Sequence, residues 1–166
     1  MSFEEIAQWL EEKFGPDVIL SRETQGPQPF LVIQPDQIRL VCQELHENER
    51  TYFDFLSCLT ALDNGPATGT MEVIYTLYSI PYNLHLHLKL LLPRNQEGEP
   101  LPEVPSISEI WRTANWHERE AYDLFGIIFT GHPDLRRIFL PADWEGHPLR
   151  KDYQHQERYH GVKVAY

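Results

Sequence analysis

This sequence has little cysteine, no long apolar run and no excess of positive charge. Each shortage removes a class of protein. Two cysteines, Cys42 and Cys58, are too few and too far apart for a Cys-based metal site or an iron–sulfur centre. Cys42 falls on the apolar face of an expected helix and is read as core. No apolar run approaches the ~20 residues that a membrane-spanning helix needs. No cationic segment followed by an apolar one stands at the start, so no signal peptide is expected. The formal net charge of −11 argues against nucleic acid as a partner. The protein is expected to be soluble and to reach a membrane only through a partner.

Catalytic signatures are missing as well. There is no G-x-S-x-G elbow for a nucleophilic serine. There is no G-x-G-x-x-G or Walker loop for phosphates. His117-Glu118 begins like the zinc-protease helix motif H-E-x-x-H, but Ala121 stands where the second histidine must be. His85 and His87 point the same way on an expected strand, yet no third or fourth ligand joins them, so they read as a solvent-facing row. No internal repeat or low-complexity segment appears.

What is present suits one ordinary domain. In 166 residues, 42% hydrophobic and 23% charged content lie close to globular averages. Ser2 and Glu5 make a capping box for a helix with apolar positions Phe3, Ile6, Ala7, Leu10 and Phe14, stopped by Gly15-Pro16. Short strands are expected over 18–20 and 30–33. Pro35 opens a helix carrying Ile38, Val41, Cys42 and Leu45, which runs to about Asn48. Residues 52–62 read as a helical turn running into a strand. Strict alternation over 71–78 and 84–90, about the Pro81-Tyr82-Asn83 turn, gives an antiparallel hairpin packed on helices through its leucine side. Residues 93–105 form a Pro/Glu-rich loop. Ser106 is placed as the cap of a short helix to Thr113, with Glu109 at its capping-box position. Asn115 is placed as the cap of the next helix, with Glu118 completing the box and Gly126 ending it. These elements define an α+β fold, mainly antiparallel sheet with helices on one face, over residues 1–130. An extended C-terminal tail over 131–166 follows.

The stretch from Asn115 to Tyr153 is the richest in special residues and the poorest in periodicity. On its helix, Glu118, Arg119, Glu120 and Asp123 could in principle serve acid/base chemistry. The spacing of Arg119 and Asp123 instead suggests a surface ion pair. Beyond it, Leu135, Ile138, Phe139, Leu140, Trp144, Leu149, Tyr153 and Tyr159 are large and aperiodic. Leaving such side chains in water forfeits roughly 1.5–3 kcal/mol for each one that could be buried. Prolines at 133, 141 and 148 favour an extended path. Residues 1–131 carry 8 Lys/Arg against 20 Asp/Glu, whereas residues 132–166 carry 6 against 5. The acidic body and near-neutral tail differ, and a partner protein is favoured as the surface that the tail covers. Arg136, Arg137, Arg150 and Lys151 are suited to acidic groups there.

Glu118-Arg119-Glu120, Asp123-Leu124-Phe125-Gly126, Gly131-His132-Pro133-Asp134-Leu135-Arg136-Arg137 and Asp143-Trp144-Glu145-Gly146-His147-Pro148-Leu149-Arg150-Lys151-Asp152-Tyr153 together resemble the thirty-kilodalton subunit family of NADH:quinone oxidoreductase, respiratory complex I. Phe53 to Asp63 is similar more loosely, and the resemblance spans roughly Phe30 to Tyr153. Phe139 departs from it, since an aliphatic residue is more usual there. The resemblance implies a non-catalytic subunit of a proton-translocating enzyme, with no catalytic residue, metal or cofactor in this chain. Flavin and iron–sulfur clusters would lie in partner subunits. It implies a place in the hydrophilic arm, peripheral on the cytoplasmic side of a bacterial inner membrane. There the chain would pack on the large quinone-site subunit, beside the subunit that holds the terminal cluster. Its length suits a stand-alone subunit rather than one fused to the large subunit.

On this reading Glu118, Arg119, Glu120 and Asp123 fix the motif helix through ion pairs. Arg136, Arg137, Arg150 and Lys151, with Trp144 and Tyr153, anchor the tail on the large subunit. Gly126, His132, Asp134, Gly146 and Pro148 complete the motif. Two alternatives remain open. One is the same family member in a relative of the complex fed by ferredoxin, a deazaflavin or hydrogen. The other is a free-standing metallohydrolase built on His132, His147 and nearby carboxylates.

Overall fold

A computed structural model describes residues 1–164 of the chain; Ala165 and Tyr166, the end of the expected tail, lie outside the described residues. Helix α1 (Phe3–Phe14) starts at the Ser2/Glu5 capping box, in which each side chain bonds the other's backbone N–H. Its Ile6, Ala7 and Leu10 face the core. Strand β1 (Ile19–Glu23) begins one residue later than its sequence suggests, because Val18 closes a 3-10 turn that starts at Pro16. Strand β2 (Phe30–Ile33) pairs antiparallel with β1. Helix α2 (Ile38–Glu47) follows a 3-10 turn at Pro35 and buries Ile38, Val41, Cys42 and Leu45.

Strands β3 (Phe55–Asp63), β4 (Thr70–Ser79) and β5 (Leu84–Pro93) form an antiparallel meander. The meander returns β5 beside β2, so that those two strands run parallel. The main sheet has the order β1-β2-β5-β4-β3. Met71, Val73, Tyr75 and Leu77 of β4 and Leu86, Leu88, Leu90 and Leu92 of β5 join the helical side chains in one core. Period-two alternation thus puts one face of the sheet under the helices. His85 is exposed and stacks on Tyr78, whereas His87 is half-buried and bonds Thr76. The expected solvent row is therefore uneven.

The differences from the sequence reading concentrate after β5. The end of the Pro/Glu-rich loop is a strand, β6 (Glu103–Pro105), which pairs parallel with β7 (Ile128–Thr130). No helix forms over 106–113. The segment turns instead, because the Ser106 hydroxyl is engaged by Ser108 and Glu118, and Glu109 pairs with Arg39. Helix α3 (Ala114–Phe125) begins after Thr113 with no side-chain cap, so neither Asn115 nor Glu118 caps it. It lies against β3 and buries Ala114, Ala121 and Phe125. After Gly131 the chain runs as a strap back over the end of α3. It closes on a small hairpin of β8 (Arg158–Tyr159) and β9 (Val162–Lys163).

The core contains one unpaired polar group of interest. Among the described residues, the fully buried Tyr75 hydroxyl finds no hydrogen-bond partner. Burial pushes its ionisation well above the ordinary phenol range. A buried unsatisfied hydroxyl costs about 1–3 kcal/mol. Tyr75→Phe is therefore expected to raise the melting temperature of the chain, measured by thermal denaturation at pH 7. A fall in melting temperature would mean that the hydroxyl is satisfied.

Candidate functional site

An α-helix leaves its last four carbonyls without partners inside the helix. At α3 the strap supplies partners for the carbonyls of 123–126 in order. The Asp123 carbonyl accepts from Arg137 (3.0 Å) and from His147 Nδ1 (2.9 Å). The Leu124 carbonyl accepts from the Leu149 amide at 3.0 Å. The Phe125 and Gly126 carbonyls accept from the Arg150 guanidinium at 2.7 and 3.2 Å. Two arginines thus meet the negative end of the helix dipole. Gly126 makes the arrangement possible: it sits at φ +70°, and a Cβ there would lie 2.5 Å from the His147 ring.

The Asp123 side chain holds the strap a second time. It is fully buried, and one oxygen accepts the amides of Ile138, Phe139 and Leu140 at 2.9, 2.7 and 3.1 Å. The other oxygen accepts from Arg137 at 2.9 Å. Burial alone would raise its pKa, but these donors outweigh burial and hold the carboxyl below the usual range. Arg137 also reaches the Trp144 and Gly146 carbonyls, which bends the strap into a loop. Gly146 (φ +77°) lets the Tyr153 ring approach, and Trp144 Nε1 donates to the Tyr153 hydroxyl at 3.0 Å.

A third clamp lies at the end of β3. Asp63 accepts the Lys151 amide at 2.8 Å and the Gly65 amide at 3.0 Å. It also pairs with Arg94, which in turn pairs with Asp152. Asp63 likewise lies below the usual carboxylate range: burial raises it, and the bonds from Arg94, Lys151 and Gly65 outweigh that. The Lys151 ammonium reaches the Asn64 carbonyl.

These contacts revise the expected roles. Asp123 does not pair with Arg119; it is buried and pairs with Arg137 from the strap. Arg119 donates to the Arg136 carbonyl at 3.2 Å and lies over the Trp116 ring at 4.8 Å. Glu118 has no arginine or lysine partner among the described residues. It is buried and accepts from the Ser106 hydroxyl and the Ile107 amide. Glu120 is exposed. His132 Nδ1 accepts the Asp134 amide, which leaves the ring proton on Nε2 to be donated to the Asn115 carbonyl. Asp134 pairs with Arg136 on the surface. Pro148 is half-buried beside His147. His132 and His147 are both spent on backbone groups. Among the described residues, no group of three or more His, Cys, Asp or Glu could hold a metal ion. The metallohydrolase alternative therefore lacks a converging ligand set.

The outer side of the strap is another matter. No residue from Gly131 to Val164 is buried as a whole, whereas the core includes residues up to Phe129. Trp116 (62% exposed) and Phe139 (62%) remain open, as does the Arg136 side chain (72%). Sequence reasoning passes over Trp116, although it lies off the helical stripe of Ala114, Glu118, Ala121 and Phe125. It also passes over Asp63 and Arg94, because their partners lie 88 and 58 residues away in sequence.

Fold and site together define a class: a small α+β domain whose last helix is finished by a half-covered strap. The family model described as "Respiratory-chain NADH dehydrogenase, 30 Kd subunit" matches residues 31–159. The chain belongs to that family. It is 42% identical over 159 residues to the C subunit of NADH-quinone oxidoreductase from Chloroherpeton thalassium, covering 95% of this chain and 63% of that relative. It is 40% identical to the corresponding subunit of Chlorobium phaeobacteroides, covering 95% of this chain and 92% of that one. The chain thus spans just under two thirds of the first of these relatives and nearly all of the second. A solved chain in the structure of the membrane-bound sulfane sulfur reductase, an archaeal respiratory membrane complex, superposes with a TM-score of 0.71 at 25% identity. It covers 91% of this chain and 85% of that one. No helix among the described residues is long and apolar enough to cross a membrane.

Asp123→Ala leaves three amides without their acceptor and a half-buried guanidinium without its carboxylate, with only carbonyls left to accept from it. It is expected to destabilise the chain by about 3–5 kcal/mol, the usual cost of breaking a buried pair. It should also admit protease cleavage between 137 and 150, read by denaturant titration and limited proteolysis. Because the folded pKa values of Asp63 and Asp123 are depressed, their contribution is present above the ordinary value of 3.8 and is lost as pH falls through the lower folded values. A strap that stays fully ordered as pH falls well below 3.8 would contradict this assignment.

Proposed function

We propose that the chain is a structural subunit, without catalytic residues of its own, in the hydrophilic arm of an NADH-quinone oxidoreductase. In this role it is peripheral on the cytoplasmic side of the membrane. It buttresses the module that passes electrons to quinone while protons are moved. Residues 131–166 act as the partner-binding strap against the large quinone-site subunit, beside the subunit of the terminal cluster. Flavin and clusters belong to those partners.

The observation that supports this is the incomplete burial of a rigidly anchored segment. Clamps at 123–126 and at Asp63 fix the path of the strap, yet its apolar side chains stay half-covered. Trp116 on α3, with Arg136 and Phe139 on the strap, stays exposed, and these three are assigned to the outer rim of the interface. Tryptophan and arginine are the residue types that dominate interface hot spots. The interface role of the motif divides accordingly: Asp123, Arg137, His147 and Arg150 shape the strap, and Trp116, Arg136 and Phe139 meet the partner.

A second reading is favoured by the likeness to the sulfane sulfur reductase chain. On that reading the protein serves a related respiratory complex with another electron donor. Co-purification from native membranes separates the outcomes. Under the first reading the chain comes down with a large quinone-site subunit and with flavin-bearing NADH-oxidising subunits. Recovery without the latter supports the second reading. Trp116→Ala with Arg136→Ala is expected to weaken recovery of the large subunit, at about 2 kcal/mol or more for each hot-spot side chain. The isolated chain should remain folded. Unchanged assembly of the double variant would refute the outer-rim assignment.

A further inference from the structure

Among the buried carboxyl groups of the described residues, the roles above leave Glu118 unused. Glu118 is 0% exposed. Its Oε2 accepts from the Ser106 hydroxyl at 2.6 Å, and its Oε1 accepts the Ile107 amide at 2.7 Å. Ser106 is 2% exposed, and its hydroxyl lies 2.8 Å from that of Ser108, which reaches 8% exposure. Three oxygens therefore make a continuous chain from the middle of the domain towards the surface. Every link is a group that can both accept and pass a proton.

The surroundings offer no lysine or arginine partner for a carboxylate. From β7 and the turn after it, His132 Nε2 approaches Oε2 at 3.9 Å. That histidine is held neutral: burial pushes its pKa down, the Asn115 carbonyl opposes this, Arg119 adds to it, and Asp134 opposes it. From α2, Cys42 faces Glu118, and from β4, Tyr75 does so. Burial pushes both of those groups up, so both are neutral and neither balances a negative charge. A lone buried carboxylate with neutral neighbours is better accommodated with a proton on it.

We propose that Glu118 is a buried proton-binding site, filled from the surface through the Ser108 and Ser106 hydroxyls and placed at the root of the strap. When the proton leaves, the Glu118 carboxylate accepts the Ser106 hydroxyl. When it arrives, the protonated carboxyl donates to the Ser106 oxygen, and the Ser106 hydroxyl turns to Ser108. One proton is exchanged with solvent and no covalent bond other than O–H changes. The site touches the segment 106–108, α3 and His132, whose other nitrogen holds the Asp134 amide, so its charge state is felt where the strap leaves the domain.

Burial, opposed by the Ser106 and Ile107 hydrogen bonds, raises this carboxyl to about 7. The unfolded chain releases the same proton at the ordinary value of 4.5. Between these values the folded state holds a proton that the unfolded state does not. The contribution of Glu118 to stability is therefore present below 4.5 and is lost as pH rises towards about 7. This slope is opposite to that of Asp63 and Asp123.

Infrared spectroscopy of the full chain across neutral pH tests the proposal. A protonated-carboxyl band should disappear with a midpoint near 7. It should be absent in Glu118→Gln and persist in His132→Gln. Ser106→Ala removes a hydrogen bond to the carboxylate and should move the midpoint upwards. Ser108→Ala should slow hydrogen–deuterium exchange of the carboxyl without moving the midpoint. No such band in the wild type, or its persistence in Glu118→Gln, overturns the site. If Glu118→Gln does not fold, an unmoved midpoint in Ser106→Ala does so instead. Unchanged exchange in Ser108→Ala overturns the relay.

Discussion

Helix α3 ends in carbonyls that, among the described residues beyond the helix, only the strap reaches. Four consecutive acceptors, at residues 123–126, take their hydrogens from Arg137, His147, the Leu149 amide and Arg150. The helix in turn lends its Asp123 carboxylate to three strap amides. The obligation is mutual, so helix end and strap fold as one object. This explains why the segment needs so many special residues. Arg137, His147 and Arg150 each answer a backbone group whose position the helix has already set.

The same pairing explains the odd solvent exposure of the strap. Its Arg137, His147 and Arg150 side chains and the amides of residues 138–140, 149 and 151 are bonded within the chain, while its large apolar groups are only half-covered. A segment ordered by polar clamps rather than by a core can present a fixed surface without a partner to fold it. Association then costs less ordering entropy than docking a disordered tail would. The arginines of the motif fall into two kinds on this view. Arg137 and Arg150 build the strap; Arg136, paired with Asp134 on the surface, faces outwards.

Local signals are legible where they are local. The capping box at Ser2, the alternation of β4 and β5, the helical stripe of α2 and the left-handed residue at Gly126 each follow from neighbours within a few positions. The motif residues stand out as a group, and their family with them. What the sequence hides is long-range. Glu118 stands where a capping box would use it, but its partners are Ser106 and Ile107, and that competition also cancels the helix expected over 106–113. The Arg119–Asp123 pair obeys helical spacing, yet the fold turns Asp123 inward towards Arg137. The parallel pairings of β2 with β5 and of β6 with β7 join segments far apart in sequence, for which composition carries no mark.

The strap is held by its own domain before any partner arrives. Hydrogen–deuterium exchange of the isolated chain tests this most directly. The amides of Ile138, Phe139, Leu140 and Leu149 are bonded to Asp123 and Leu124, and the Lys151 amide to Asp63. These five are expected to be protected in the isolated chain as strongly as the backbone of α3. Exchange at the rate of an unstructured peptide in the isolated chain, with protection only in the assembled complex, would contradict it.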